Sequence, residues 1–472
     1  MSEARRDGVR LRGKRGVRGR PAAAGPTASE AEAIAKISPS RAAAFEILTL
    51  VAAGTGHSDE LLCGTGSGLR MEALSPEDRN LTTALVMGVL RWQIALDARV
   101  AKLLARPDQR LAEPVALALR LGAFQLLHMD RIPAHAALHE SVELCRAAGQ
   151  PHAAGMVNAV LRKLAAEQST AQNRDAEHPT HESTAAFAEK LGHPLWLVER
   201  WVAAYGHEAA QTICEYDQHE PGRGAIFTVV DGAAPALAGE AVPQMDDGSR
   251  LVAEIAAAAL PLAAGRIARV WDCCAAPGGK ALMLALRLTG AEIFATDVSA
   301  KRLGQMEARL RQYSYAQRVS CAIADAAAVE STQDVKFDLI LCDVPCSGTG
   351  TLARNPEIRQ RLQPKDPTRQ SVRQRAILRG ALRRLRPGGR LVYSTCSLEP
   401  EENELVVEAE ASGVGVRRVS VEPLIAKLAD EGVLRREVSE RLMRTAVKDG
   451  ALRTVPGVHG CDGFFAVVLE RE

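Results

Sequence analysis

The sequence predicts a multidomain protein in which an all-helical N-terminal domain precedes an α/β domain with a doubly wound parallel sheet. Three observations predict this fold class. The chain has 472 residues, and at about 100 to 200 residues per domain it should contain more than one domain. Apolar residues recur every three or four positions from Ser38 to Ala166, which is the period of an α-helix. From about Leu251 onward, short apolar strands alternate with helical stretches, a pattern typical of a parallel sheet between helices.

The composition excludes several classes of protein. Apolar residues make up 47% of the chain and charged residues 25%, which excludes wholesale disorder and fibrous repeats. No uncharged apolar run approaches the roughly 20 residues that span a bilayer, so no membrane span is expected. The N-terminus lacks the apolar stretch of a secretory signal, which predicts a cytoplasmic protein whose ten cysteines are thiols. These cysteines form no C-x-x-C pair, and no metal site is expected.

Basic residues are concentrated in two places, although the net charge is only +2. The first 20 residues hold eight Arg or Lys, and residues 1–37 form a Gly-, Ala- and Pro-rich arm with little apolar periodicity. Residues 351–390 hold twelve Arg or Lys against two acidic residues. Such blocks favour a polyanionic partner such as RNA. The arm is either an RNA-contacting tail or a solvated extension, and both readings stay open.

Changes of pattern divide the chain into five segments. The helical segment includes a helix start at Ser75 and Pro76, with Ser75 as the cap. A polar stretch follows it as a linker, and then a short unit with two helices and the strand AIFTVV. The predicted segments are a basic arm (1–37), a helical domain (38–167), a linker (168–186), a small connecting domain (187–250) and an α/β domain (251–472).

Carboxylates end four predicted strands of the α/β domain. The predicted strands are ARVWDCC, EIFATD, VSCAIAD, FDLILCD, RLVYSTC and GFFAVVLE. The first four place Asp272, Asp297, Asp325 and Asp343 at the carboxyl ends, where ligands bind in such sheets. Asp297 lies 25 residues beyond Asp272, where an acid can accept hydrogen bonds from ribose hydroxyls. Asp325 suits an adenine amino group, and the alternative for each acid is a helix cap.

A glycine-rich turn and two cysteines complete the predicted site. The turn Ala275-Ala276-Pro277-Gly278-Gly279-Lys280 follows the first strand, and its glycines allow the backbone to approach a ligand closely. Cys346 follows the fourth strand and Cys396 the fifth. Because strands four and five are usually neighbours in a doubly wound sheet, we expect both thiols to face one crevice. Taken singly, each could instead be a buried, inert cysteine.

Four motifs in this order resemble those of the bacterial 16S rRNA (cytosine-C5)-methyltransferases of the RsmB/Sun/Fmu type, within the RsmB/NOP family. The motifs are CAAPGGK (274–280), DVPCSGTGTLARNPEIR (343–359), LVYSTCSLEPEEN (391–403) and DGFF (462–465). The helical segment is similar to the NusB-like domain of that branch, notably in RIPAHAALHESVEL (131–144) and GMVNAVLRKL (155–164). The resemblance implies a NusB-like RNA-binding domain joined to a Rossmann-like class I S-adenosylmethionine-dependent methyltransferase domain.

The resemblance also implies roles for individual residues. Cys396 is implied to be the nucleophile, Cys346 to release the product, and Asp343 to lie beside the methyl donor and the target base. The implied contacts to S-adenosylmethionine are Cys274, Ala275, Ala276, Pro277, Gly278, Gly279, Lys280, Asp297 (ribose), Arg302, Asp325 (adenine) and Asp343. The implied reaction forms 5-methylcytosine in 16S rRNA through a covalent cysteine–C6 adduct.

Two other functions remain open from the sequence. The same chemistry could act on tRNA or large-subunit rRNA, because the 16S assignment follows only from the resemblance of the helical domain. Alternatively, the chain could be a catalytically silent RNA-binding or antitermination factor, although its intact pair of cysteines argues against this. The sequence also departs from the family at Trp271, Cys273 and Ala353, and in the strand that precedes the α/β domain.

Overall fold

The structure is a computed structural model of the 472-residue chain. It describes residues 32–33, 36–63, 71–171, 183–222, 226–227, 240–261, 265–328 and 335–472. Most of the predicted basic arm, the middle of the predicted linker and most of the predicted strand AIFTVV lie outside these residues. In the part of the chain that is described, no helix is both long and apolar enough to cross a membrane.

The N-terminal part is helical, as the apolar periodicity predicts. Its helices are α1 (Pro39–Ala52), α2 (Ser58–Leu62), α3 (Pro76–Leu103), α4 (Glu113–His128), α5 (Ala134–Ala147) and α6 (Ala154–Ala171). The predicted start of α3 is confirmed, since Ser75 Oγ accepts the backbone N–H of Asp78 at 3.0 Å and Pro76 is the first helical residue. Helices α1 and α3 to α6 contribute buried apolar side chains to one core, which stabilises the bundle.

A smaller helical unit joins this bundle to the α/β domain. It contains α7 (Thr184–Lys190), α8 (Leu195–Tyr205) and α9 (His207–Tyr216). Its core includes Trp201 and also buried residues of the α/β domain such as Leu352 and Leu398. Farther along, Phe227 forms a single antiparallel bridge with Leu434. The connecting unit is therefore packed onto the α/β domain.

The α/β domain alternates strands and helices as predicted. Its elements are α10 (Asp247–Ala258), β1 (Ala268–Asp272), α11 (Gly279–Arg287), β2 (Ala291–Asp297), α12 (Ala300–Leu310), β3 (Val319–Ile323), β4 (Phe337–Asp343), α13 (Ile358–Arg361), α14 (Asp366–Arg383), β5 (Leu385–Thr395), α15 (Glu404–Ala411), β6 (Val416–Val419), α16 (Glu422–Asp430), α17 (Arg436–Thr445), β7 (Val447–Lys448), β8 (Ala451–Arg453) and β9 (Phe465–Arg471).

These strands form one sheet in the order β3-β2-β1-β4-β5-β9-β8-β7, with β6 also paired to β9. Strands β1 to β5 are parallel, whereas β9 runs antiparallel to β5. The order reverses between β1 and β4, which is the topological switch point where α/β sheets bind ligands. All six predicted strands are present, but β3 ends at Ile323 rather than at Asp325. The cause is a turn in which Asp325 Oδ1 accepts the backbone N–H of Ala327 at 2.9 Å.

The two faces of the sheet bury different side chains. Along β1, Val270 packs with α10, α11, α16 and α17, while the next residue, Trp271, packs on the opposite face with α14. This alternation follows from the two-residue period of a strand. Trp271, one of the departures from the pattern of the resemblance, stacks on Phe337 with ring centroids 5.2 Å apart, while its Nε1 donates to Thr296 Oγ1 at 3.0 Å. The indole ring is therefore accommodated inside the core.

The segment between β4 and α14 fastens the helical bundle to the α/β domain. Arg359 is 2% exposed, and its guanidinium donates to the backbone oxygens of Arg91 at 2.9 Å and Asp217 at 3.1 Å. Glu357 is also buried and accepts the backbone N–H of Ser58 at 3.1 Å and the Ser58 hydroxyl at 2.9 Å. These bonds cross between domains, so they place the N-terminus of α2 against the α/β domain.

Candidate active site

A cavity of about 810 Å³ opens at the carboxyl edge of the sheet, on the β1–β4 switch point. Nine of the residues predicted for the site line it. They are Cys274, Ala276, Pro277, Asp297, Arg302, Asp325, Asp343, Cys346 and Cys396. A second cavity of about 390 Å³ shares Cys274, Ala276, Pro277 and Asp343 with the first, and Ala275, Gly279, Lys280 and Asp272 also line it. The structure therefore brings the predicted residues together at one edge.

The turn after β1 is held close to its neighbours. The backbone N–H of Ala275 donates to the oxygen of Thr296 at 2.9 Å, which ties the turn to the end of β2. Gly278 has a φ of +96°, and a Cβ at this position would lie 2.6 Å from Met306 Cγ. Both the backbone conformation and the space therefore require glycine. Helix α11 begins at Gly279, within the last residues of this turn, so its N-terminal N–H groups face the same edge.

Lys280 and Asp343 form an ion pair between the turn and the end of β4. Lys280 Nζ lies 2.8 Å from Asp343 Oδ2 and donates to Ser249 Oγ at 2.7 Å. Burial disfavours the charged Lys280, but the Asp343 carboxylate outweighs this effect and raises the pKa of Lys280. Ser394 Oγ donates to the other carboxylate oxygen of Asp343 at 2.7 Å. The Asp343 side chain is thus fixed from two sides at the boundary of both cavities.

Asp272 lies beneath this pair and is buried. Burial, together with the nearby Asp343 carboxylate, raises the pKa of Asp272 to about 7, although Lys280 opposes the shift. Among the four predicted strand-end acids, Asp272 does not line the larger cavity, whereas Asp297, Asp325 and Asp343 do. Asp272 lines the smaller cavity instead.

Arg302 connects two parts of the predicted cofactor site. Its Nη2 donates to the Ala276 oxygen at 2.6 Å, and its Nη1 lies 3.4 Å from Asp297 Oδ2. The other oxygen of Asp297 accepts the backbone N–H of Ser299 at 2.9 Å. This contact is an Asx turn, because the cap of α12 is Ser299, whose Oγ accepts the backbone N–H of Arg302 at 3.3 Å. Asp297 is therefore not the helix cap that was the alternative for a strand-end acid, and its carboxylate lines the cavity.

The two cysteines face each other across adjacent strands. Strands β4 and β5 are parallel neighbours with Asp343 paired to Ser394, so the turns that follow them lie side by side. The Sγ atoms of Cys346 and Cys396 are 3.3 Å apart, which confirms the expectation that both thiols face one crevice. The hydrogen bond to Cys396 and burial raise the pKa of the Cys346 thiol well above its usual range. Cys346 therefore keeps its proton near neutral pH.

The helical bundle also lines the larger cavity, which the sequence reasoning did not anticipate. His57, Asp59, Glu60 and Cys63, in and around α2, face the cavity opposite the sheet edge. Lys301 Nζ lies 3.6 Å from Glu60 Oε2, which joins α2 to α12 across the mouth. Residues so distant in sequence converge only through the domain junction, and no local pattern in the sequence signals this.

The basic block at 351–390 is divided between internal contacts and the cavity. Its ion pairs are Arg354–Asp462, Arg369–Asp366, Arg379–Glu410, Arg386–Asp338 and Arg390–Glu470. Arg359 and Arg361 bind backbone oxygens of the helical parts. Arg373, by contrast, is exposed and lines the cavity that holds Cys396. Only the exposed arginines of the block, such as Arg373, are therefore still expected to bind a polyanion.

Known proteins share both parts of this architecture. Residues 259–470 match the family model described as 16S rRNA methyltransferase RsmB/F, and residues 38–166 match the NusB family. The chain is 29% identical to the probable ribosomal RNA small subunit methyltransferase B of Bacillus subtilis, over 91% of this chain and 98% of that protein. It is 32% identical to ribosomal RNA small subunit methyltransferase B of Xanthomonas campestris, over 84% of this chain and 89% of that protein.

The fold is also found among solved structures. The crystal structure of PH0851 matches 92% of this chain and 99% of its own, with a TM-score of 0.65 and 20% identity. That likeness concerns the fold alone. The family assignment follows from the sequence matches, which extend over both the helical bundle and the α/β domain. The chain belongs to the RsmB/F family of 16S rRNA methyltransferases and carries a NusB-family domain on its N-terminal side.

Proposed function

We propose that this protein transfers a methyl group from S-adenosylmethionine to carbon 5 of a cytosine in 16S rRNA, through a covalent adduct between Cys396 and carbon 6 of the base. One observation carries the proposal. Two thiols lie 3.3 Å apart after the neighbouring strands β4 and β5, and the Asp343 carboxylate lines the same cavity. A silent RNA-binding factor has no need of this arrangement.

The chemistry requires such a nucleophile. Carbon 5 of cytosine attacks a methyl donor only after electron density is pushed into the ring, and addition of a thiolate to carbon 6 does this. Carbon 5 would then form the new bond to the methyl group, while the bond between that methyl group and the donor's sulfonium sulfur would break and leave its electron pair on the sulfur. A base removes the carbon-5 proton, the C5=C6 double bond re-forms, and the electron pair of the C6–S bond leaves with the sulfur.

The three proposed catalytic side chains have separate tasks. Cys396 attacks carbon 6 as a thiolate. Cys346, which holds its proton and lies against the attacking sulfur, assists release of the methylated base. Asp343, anchored by Lys280 and Ser394, lies where its carboxyl group can share a proton with the ring nitrogen as negative charge develops there.

The residues at the sheet edge fit S-adenosylmethionine. The cavity volume of about 810 Å³ lies within the range of roughly 300 to 1,000 Å³ of small-molecule sites. We assign the Cys274–Lys280 turn to the methionine part, Asp297 to the ribose hydroxyls and Asp325 to the adenine amino group. Arg302 holds Asp297 against this turn through Ala276. When bound, the cofactor supplies the electrophilic methyl group.

The first experiment tests the reaction and the substrate together. Purified protein and methyl-labelled S-adenosylmethionine are incubated separately with unmodified 16S rRNA, large-subunit rRNA and tRNA, and each RNA is digested to nucleosides for mass spectrometry. We expect the label in 5-methylcytidine. Label in another nucleoside would overturn the chemistry, while label only in tRNA or large-subunit rRNA would overturn the choice of substrate. An absence of label from all three RNAs would favour the silent binding factor.

Arg373 is expected to bind a phosphate of the RNA beside the target base. Arg373 is exposed on α14 and lines the cavity. Flipping the target base out of its stack costs a few kcal/mol, and contacts between the protein and the RNA backbone offset this cost. For Arg373→Ala, we expect weaker RNA binding and a slope of log affinity against log salt that is smaller by about one. Filter binding at several salt concentrations measures this slope.

Arg383 provides the matched control for this measurement. It is exposed on the same helix but does not line the cavity. Arg383→Ala should leave the salt slope closer to that of the unaltered protein. Equal slopes for the two variants would remove Arg373 from the proposed RNA path.

A further inference from the structure

A buried carboxylate lies between the turns that carry the two cysteines. Glu402 is fully buried, in the turn that precedes α15. Its Oε1 accepts the backbone N–H of Ser347 at 2.8 Å and Nε2 of Gln374 at 2.9 Å. Its Oε2 accepts the hydroxyl of Ser397 at 2.5 Å and also the hydroxyl of Ser347. One side chain therefore binds both turns.

The two serines directly follow the two cysteines. Ser347 is the residue after Cys346, and Ser397 is the residue after Cys396. Their hydroxyls lie 3.1 Å apart, and both donate to the same carboxylate. A displacement of Glu402 would therefore shift both cysteine backbones by way of their neighbours. Strand pairing holds the turns together on the β4–β5 side, and the backbone N–H of Gly350 donates to the Cys396 oxygen at 2.9 Å. Glu402 adds a bond to each of the residues that directly follow the cysteines.

The chemistry of this position calls for a carboxylate rather than for any side chain of that volume. An ionised carboxylate offers about four acceptor sites and no donor, which matches the four donors that reach Glu402. A glutamine would present one accepting oxygen and a donating NH₂ group to the same partners. Burying a carboxylate among uncharged donors is costly for stability, which indicates a function other than core packing.

We propose that Glu402 is a positioning residue that sets the separation of the Cys346 and Cys396 thiols and thereby the rate at which the methylated RNA is released. The inference rests on the proposed function, because release is a step of that reaction. Glu402 touches neither sulfur. It acts through Ser347 and Ser397, while Gln374 secures it by donating both to Glu402 and to the Pro345 oxygen at 3.0 Å.

The test compares Glu402→Gln with Glu408→Gln, an exposed glutamate on α15 that serves as the matched control. Two quantities are measured. The first is the fraction of protein covalently attached to RNA on denaturing gels during turnover with 16S rRNA and S-adenosylmethionine. The second is the rate at which the oxidant diamide couples Cys346 to Cys396, followed by peptide mass spectrometry. In that coupling both thiols lose a proton and two electrons pass to diamide, which becomes the hydrazine.

For Glu402→Gln, we expect disulfide formation to slow by about tenfold and the adduct to accumulate. The reason is that the two turns lose the charged carboxylate that accepts hydrogen bonds from both of them. Ser347→Ala and Ser397→Ala, which each remove one donor, should have smaller effects in the same direction. Glu408→Gln should match the unaltered protein in both measurements.

The outcomes separate this inference from the proposed function. Unchanged disulfide and release rates in a folded Glu402→Gln protein would overturn the inference, even if its melting temperature were lower, because Glu402 would then act only in stability. If the unaltered protein formed no 5-methylcytidine, the proposed function would fail and the role in release with it. The diamide rates would still decide whether Glu402 sets the separation of the thiols.

Discussion

Replacement of Cys396 by alanine is expected to abolish methylation, with turnover at least about a thousandfold below that of the unaltered protein. Without the sulfur, nothing adds to carbon 6, and carbon 5 stays too weak a nucleophile to accept the methyl group. Cofactor and RNA affinities should change little, since the contacts assigned to them lie on other residues. The measurement is the yield of labelled 5-methylcytidine from 16S rRNA at saturating S-adenosylmethionine.

The control for this prediction is Cys321→Ala. Cys321 lies on the edge strand β3, away from the cavity, and burial raises the pKa of its thiol. A partly buried thiol with a raised pKa is expected to be inert. Its replacement should leave the yield unchanged, whereas substantial methylation by Cys396→Ala would show that another group starts the reaction.

The architecture of the α/β domain could be predicted because its strands are strongly apolar and evenly spaced. Phe337–Asp343 occurs with the predicted bounds, and the neighbouring positions of β4 and β5 led to the correct expectation for the two thiols. The C-terminal part was harder to predict. Strands β6, β7 and β8 have only two to four residues each, too few for an alternating pattern to be recognised.

The candidate site was predictable where each residue follows its own strand, and not where it depends on contacts over long distances. Asp297 and Asp343 were found because they end apolar runs. Glu402 lies in the motif LVYSTCSLEPEEN (391–403), six residues after Cys396. Its short distance in sequence from the predicted nucleophile was the one feature of the sequence that could have indicated a role for this acid. Its four donors come from three separate segments, and only the fold shows that they meet.

The domain junction shows why the charge of the basic block does not by itself assign its arginines to RNA binding. An arginine can bind a phosphate or the backbone oxygens at the end of a helix, and its charge alone does not distinguish these uses. Arg359 satisfies the carbonyl oxygens of Arg91 and Asp217 in the interior. The same segment holds α2 through Glu357, so the helical bundle is fixed in place as one wall of the catalytic cavity.

Replacement of Cys346 by alanine is expected to have the opposite effect from loss of Cys396, because it leaves the attack on carbon 6 intact and impairs only release. The Cys346 sulfur lies 3.3 Å from the sulfur of Cys396, the proposed nucleophile, and we assign it to assisting breakage of the C6–S bond. We expect turnover to fall by about a hundredfold, as is typical for loss of a group that assists proton transfer. Most of the protein should then be trapped on the RNA.

The trapped species distinguishes the roles of the two cysteines. With labelled 16S rRNA, Cys346→Ala should produce a band that resists denaturation on a gel and disappears on ribonuclease treatment. The double variant Cys346→Ala/Cys396→Ala should produce none, because the covalent bond needs the Cys396 sulfur. If instead Cys396→Ala trapped RNA and Cys346→Ala did not, the roles would be exchanged. Because the two sulfurs are in contact, their positions do not show which one is the nucleophile. The assignment is decided by identifying the cysteine that forms the covalent bond to carbon 6.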